Sequence, residues 1–239
     1  MDDINQRDQY GSTALMVCGK FGTHECKRLD VARYLIEKGA DLNVQDKHGR
    51  TALMRFAFTN YTQLLLDSGA DVNLVDKDGK SAVFAYPFYD YYYDTEIVNL
   101  LVKAGCDVNF KDFSGITPLM SSIHKDMSIS LLNNGTDINA RDNEGYSVLM
   151  RAMEVMLEKR GQDDAIKCFE FMLENGADIN IRSNEGRDII EHSIRCSFSR
   201  PALRLRSYLE NKTLLASAKL KDIINIYNQS TIKTQERRL

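Results

Sequence analysis

The chain has 239 residues, of which 43% are hydrophobic and 27% are charged, and its formal net charge at pH 7 is −3. These values are ordinary for a globular protein, and the weak negative charge gives no general attraction to nucleic acid or to anionic membranes. The polar start of the chain and the lack of an apolar run near the ~20 residues of a spanning helix predict neither a signal peptide nor a membrane segment. The five cysteines are odd in number and far apart, which favours reduced thiols. We therefore expect a cytoplasmic protein.

In chain order, the dominant feature is a segment with the pattern Gly-x-Asp-x-Asn that occurs in five copies. In every copy its glycine stands ten residues before a second glycine: Gly39 and Gly49, Gly69 and Gly79, Gly105 and Gly115, Gly135 and Gly145, Gly176 and Gly186. A fragment of the same pattern at residues 3–16 opens the chain. Self-similarity with a period of about 33 residues predicts a solenoid of stacked repeats.

The residues of one copy predict its local structure. Gly39 accepts the left-handed conformation that ends a helix, and Asp41 and Asn43 favour a turn because their short polar side chains bond nearby backbone groups. Gly49 adds a second turn, and the hydroxyl of Thr51 is placed to cap the next helix. Each copy therefore predicts a β-turn hairpin, here called a finger, followed by a short inner helix and an outer helix.

These signals predict an all-α solenoid of about six helix-turn-helix repeats. The predicted repeats are residues 8–45, 46–75, 76–111, 112–141, 142–182 and 183–210, followed by a C-terminal capping helix at 211–228 and a flexible tail at 229–239. Since the finger spacing is constant, all length variation falls between the two helices of a repeat. The predicted long connections are residues 19–27, 86–94 and 154–163, and the outer helices after the first and last of them are predicted at 29–38 and 164–175.

These residues resemble the ankyrin repeat family over about residues 3–210. The family motif Gly-x-Thr-Pro-Leu-His is matched at residues 115–120, except that Met120 replaces the histidine, as do Met16, Met54 and Met150 in other repeats. The family motif that ends the outer helix is matched at residues 65–73. The resemblance implies stacked helix pairs with protruding fingers, a non-catalytic role in binding proteins, and a concave groove formed by finger tips and inner helices. In some members of the family the asparagine that corresponds to Asn43 is hydroxylated.

Two surfaces are candidates for partner binding. The first is the connection in repeat three, which contains five tyrosines: Tyr86, Tyr89, Tyr91, Tyr92 and Tyr93. Tyrosine gives a large contact area with a polar end at low entropic cost, although part of this cluster can instead fill the core. The second is the groove, for which the resemblance indicates the tip residues Lys47, His48, Arg50, Lys77, Asp78, Lys80, Phe113, Ser114, Asn143, Glu144 and Tyr146. Phe113 and Tyr146 are notable because aromatic residues at exposed tips have little core to fill, although each can pack locally on the adjacent finger.

Other functions have weaker support. The four histidines fall in different repeats, no phosphate-binding glycine loop occurs, and Cys18, His24 and Cys26 lack a fourth ligand for zinc. We therefore predict no cofactor and no metal. A nucleic-acid site at the basic cluster Arg195, Arg200, Arg204, Arg206 and Lys212, or a catalytic activity after Gly186, remains as the alternative. The leading hypothesis is a monomeric, non-catalytic module that binds a protein partner through the groove, the tyrosine-rich connection, or both.

Overall fold

The structure is a computed structural model that describes residues 3–18, 25–55, 58–84, 95–122, 124–157, 162–189 and 191–192. The chain divides into two compact regions, an N-terminal region, Met1–Asn143, and a C-terminal region, Glu144–Leu239, which we describe separately. The boundary between them falls within the fifth finger.

Paired helices make up both regions. In the N-terminal region the pairs are α1 (Ala14–Cys18) with α2 (Glu25–Glu37), α3 (Ala52–Arg55) with α4 (Thr59–Asp67), a 3₁₀ helix (Ala82–Phe84) with α5 (Glu96–Lys103), and α6 (Pro118–Ser121) with α7 (Lys125–Asn133). The C-terminal region contains α8 (Val148–Leu157) and α9 (Gln162–Glu174). Within the described residues there is no strand, and the predicted all-α repeat solenoid is confirmed.

Inner helices begin at a threonine or serine, but not every predicted cap forms. The hydroxyl of Thr117 accepts a hydrogen bond from the amide of Met120, with Pro118 in the first turn. The hydroxyl of Thr51 is buried and has no hydrogen-bond partner among the described residues, so the predicted cap at this position is wrong. The physical reason is a tighter turn, in which the amide of Met54 donates to the Thr51 carbonyl at 3.2 Å.

Outer helices end at the predicted glycines. Gly69 has φ +92°, and its amide donates to the carbonyl of Leu66 while that of Ala70 donates to Leu65. This left-handed closure satisfies carbonyl groups that would otherwise lack a partner at the helix end.

The core lies between the helices and between neighbouring repeats. The methionines that replace the family's histidine are all buried: Met16, Met54, Met120 and Met150. Tyr61 of α4 is 4% exposed, and its hydroxyl donates to the carbonyl of Leu15 in the preceding repeat at 2.6 Å. Burial raises the pKa of Tyr61, since the phenolate would lose its hydration. Repeats one and two are thus joined through a buried hydrogen bond.

Two predicted connections are shorter than expected. Helix α2 begins at Glu25, so residues 25–27 are helical and not part of a connection. Likewise, α8 continues to Leu157 and α9 starts at Gln162, so the residues assigned to the third long connection partly extend both helices. In the predicted sixth repeat, residues 189, 191 and 192 are helical. The rest of that repeat after residue 192, the capping helix and the tail lie outside the described residues.

Candidate interaction site

Each of the first four fingers is held together by an aspartate at its base. The Oδ1 atom of Asp46 accepts hydrogen bonds from the amides of His48 at 2.8 Å and Arg50 at 3.0 Å. The amide of Gly49 also donates to the Asp46 carbonyl at 2.9 Å. The same carboxylate contacts recur in the other fingers of the N-terminal region, at Asp8, Asp76 and Asp112. These aspartates therefore shape the turns of the fingers.

The finger tips are joined to one another by backbone hydrogen bonds. In the N-terminal region the donor is always the first tip residue of the later finger, and the acceptor is the second tip residue of the earlier one. The bonds run from Lys47 N to Tyr10 O at 3.1 Å, Lys77 N to His48 O at 3.0 Å, Phe113 N to Asp78 O at 3.1 Å, and Asn143 N to Ser114 O at 3.0 Å. This arrangement places tip residues of successive repeats in a continuous row.

Asparagine side chains make a second set of links between repeats. The backbone amide of Asn43 donates to Asp41 Oδ1 in its own repeat at 2.8 Å, and the Asn43 side-chain Oδ1 accepts from the amide of Asp71 in the next repeat at 2.9 Å. Asn109 forms the equivalent bond with the amide of Asp137 at 2.7 Å. Within the turn it is the Asp41 carboxylate that bonds the backbone, whereas the asparagine side chains link each repeat to the next.

Arg50 has a structural contact with Asp46. Its Nε and Nη2 atoms lie 3.2 Å and 3.1 Å from Asp46 Oδ2, and Arg55 Nη1 lies 3.6 Å from the same oxygen. Burial alone would raise the pKa of Asp46, but the amides of Arg50 and His48 and the Arg50 guanidinium together hold this pKa below its ordinary value. Arg50 therefore stabilises its finger, and a direct role in partner binding stays a prediction.

The exposed aromatic residues of the row are Phe113 and Tyr10. Phe113 is 70% exposed, and its ring lies against Gly79 of the preceding finger. Tyr10 is 64% exposed and occupies the tip position that His48 occupies in the next finger. Tyr10 is not among the predicted tip residues, although its position two residues after Asp8 gives the necessary signal. We call the residues Tyr10, Lys47, His48, Lys77, Asp78 and Phe113 the tip surface.

Tyr146, in the C-terminal region, differs from the prediction. It is only 9% exposed, its ring makes an edge contact with His192 at a centroid distance of 4.8 Å, and the Arg151 guanidinium lies 4.8 Å from the ring centroid. The expectation that Tyr146 is exposed is therefore wrong, because the sixth repeat supplies a neighbour for its ring.

Several predicted residues fall outside the structure's described part. The tyrosines at 86, 89, 91, 92 and 93 do so, as do His24 and the basic cluster at 195–212. Within the described ranges, no three histidine, cysteine or acidic side chains are grouped so that they could hold a metal ion. The thiol of Cys106 is buried, and burial raises its pKa to about 11, so the reactive thiolate is disfavoured at neutral pH.

The fold and the finger geometry together define a helical repeat protein of the ankyrin type. The chain matches the family described as ankyrin repeats (3 copies) over residues 1–76 and 88–183, and it belongs to that family. No curated protein matched the chain. Ankyrin repeats generally mediate protein–protein interaction and are typically non-catalytic. In the part of the chain that the structure describes, no helix combines the length and the apolar character that crossing a membrane requires.

Proposed function

We propose that this chain is a non-catalytic protein-interaction module, and that its partner binds the tip surface of the N-terminal region. The observation that supports this proposal is the exposure of Phe113, 70%, within a row of hydrogen-bonded tips. A large apolar side chain at such a position contributes little to the core and gives an anchor for a partner.

The tips are also held in place by hydrogen bonds before a partner binds. Each tip is fixed within its finger by the aspartate contacts and fixed to its neighbour by a backbone hydrogen bond of 3.0–3.1 Å. Because ordering flexible loops opposes association, a surface ordered in advance binds at a lower entropic cost. This favours the fingers as a binding surface.

The side chains of the tip surface are exposed, unlike that of the neighbouring Arg50. Arg50 contacts Asp46, whereas Lys47, His48 and Lys77 of the tip surface are exposed. Changing an exposed tip residue should therefore alter binding without loss of the fold. The five tyrosines at residues 86–93 remain a second proposed surface.

Site-specific photo-crosslinking tests the proposal. A photoreactive phenylalanine analogue replaces Phe113 in one variant and Tyr34 in a matched control, since Tyr34 is 57% exposed but belongs to the outer helix α2. A third variant carries the analogue in place of Tyr92. After irradiation in lysate of the native cells, we expect a discrete protein adduct from position 113 and none from position 34.

The other outcomes are equally informative. An adduct from position 92 alone would retain the interaction module and move its surface to the tyrosine-rich connection. Equal adducts from 34 and 113 would indicate unspecific capture, and no adduct from 113 or 92 would overturn the proposed function.

A further inference from the structure

We infer that the segment bound by the tip surface is an extended, acidic stretch of polypeptide with an apolar side chain that packs on Phe113. This inference rests on the proposed function and adds the chemistry of the partner.

The aspartates at the bases of these fingers bond to groups of their own finger. The side chain of Asp46 is 2% exposed and is used by two amides and by Arg50. Asp76 likewise accepts from the amides of Asp78 and Lys80, each at 2.9 Å. The carboxylates of Asp46 and Asp76 therefore compensate backbone donors and the Arg50 guanidinium within the fingers.

Two lysines of the same fingers are directed outward. Lys47 and Lys77 occupy the same tip position in successive fingers, and both are exposed. Among the described residues, neither ammonium forms an ion pair with a carboxylate. His48 lies between them in the row, because its carbonyl accepts the hydrogen bond from the Lys77 amide. The row thus offers two cations to a ligand.

The next finger replaces the lysine with an aromatic residue. Phe113 occupies the position of Lys47 and Lys77, and its amide bonds to Asp78 O in the same way as the lysine amides bond to the fingers before them. Along the row the order is therefore cation, cation, aromatic ring. A segment that follows the row with two carboxylates and then an apolar side chain is complementary to it.

Asp78 is the exposed carboxylate within the tip surface, and it opposes an acidic ligand. Asp78 therefore allows a test of the sign of the charge on the bound segment. Changing Asp78→Asn should strengthen binding of the acidic segment, whereas a partner selected without regard to charge would not respond in this way.

The experiment is a selection from a random 12-residue peptide library displayed on phage, with the intact chain as bait. We expect the enriched peptides to contain two or more Asp or Glu residues beside a Leu, Phe or Trp. One enriched peptide, labelled with fluorescein, is then titrated against variants by fluorescence anisotropy.

The variants have a matched control. Lys47→Gln with Lys77→Gln removes two exposed cations of the tip surface, and Lys38→Gln with Lys103→Gln removes two exposed cations near the ends of outer helices. We expect the first pair to weaken binding about five-fold and the second to change it less than about two-fold, because exposed ion pairs are short-range and individually weak. Phe113→Ser should weaken binding about ten-fold. Circular dichroism confirms that every variant retains its helix content.

The outcomes separate the inference from the proposed function. Enriched peptides that need Phe113 but contain no excess of acidic residues would overturn the acidic chemistry and leave the tip surface as the site. If the two lysine pairs weaken binding equally, the effect is one of net charge alone, and the inferred acidic chemistry is overturned. Failure to enrich any peptide would overturn the extended segment, while the crosslinking result would still decide the proposed function independently.

Discussion

Gly79 provides a direct test of how closely neighbouring fingers approach. It has φ +82°, and a Cβ atom added there would lie 2.6 Å from Cδ1 and 2.8 Å from the backbone nitrogen of Phe113. Gly69 has a similar φ of +92°, but a Cβ added there would meet no atom within 4 Å. The two glycines therefore share the conformational requirement and differ in the space around them.

The expected losses in the free energy of unfolding follow from this difference. Gly69→Ala places a side chain in the left-handed region and should cost about 1 kcal/mol. Gly79→Ala has the same cost and in addition forces the two fingers apart. The exposed ring of Phe113 can rotate away, but its amide cannot move without lengthening the 3.1 Å bond to Asp78 O. Loss of that bond and overpacking should raise the total to about 2–4 kcal/mol.

Urea denaturation followed by circular dichroism measures both variants under identical conditions. Because repeat arrays need not unfold in a single step, the comparison uses the midpoint and the shape of each transition. A double variant, Gly79→Ala with Phe113→Ala, separates the ring from the backbone and should recover only the ring's share of the loss. Equal losses for Gly69→Ala and Gly79→Ala would refute the argument that finger contact requires the glycine.

Two further predictions concern buried polar groups. Asp46→Asn should cost about 1–3 kcal/mol at pH 7, since the buried contacts to two amides and Arg50 lose their charge. The pKa of Asp46 is lowered on folding. Its contribution to the free energy of unfolding is therefore complete above the unfolded pKa near 3.8 and is lost as the pH falls through the folded pKa. The difference in free energy of unfolding between wild type and variant should therefore narrow in acid. A gap that widens in acid would contradict this. Tyr61→Phe leaves the Leu15 carbonyl without its 2.6 Å bond and should cost about 1–2 kcal/mol by urea titration, and an unchanged midpoint would contradict the link between repeats.

The fingers were predictable from sequence because their chemistry is local. Asp46 and Gly49 shape a turn with residues no more than four positions away, and the constant spacing between glycines reports this directly. Helix boundaries were less accurate. The start of α2 at Glu25 and the end of α8 at Leu157 are not marked by glycine or proline, and so the sequence contained no stop signal at these positions.

The candidate site was only partly predictable, since exposure depends on residues distant in sequence. Phe113 and Tyr146 are both aromatic residues of fingers, yet Phe113 is 70% exposed and Tyr146 is 9% exposed. The difference arises from His192 and Arg151, which contact the Tyr146 ring and belong to other elements. Tyr10, by contrast, could have been found by aligning the first finger with the others.

The fingers are anchored to their neighbours at two levels. Asparagine side chains such as that of Asn43 bond at the base of the finger, and backbone bonds such as that from Lys77 N to His48 O join the tips. With both levels fixed to the adjacent repeat, one additional residue in a finger would shift one set of donors out of register with its acceptors. Within this chain the repeats therefore differ in length only where no such register exists, between the helices of a pair. The constant finger and the variable connection are two results of the same mechanical constraint, and a peptide tag inserted between paired helices should be tolerated where the same tag in a finger would not be.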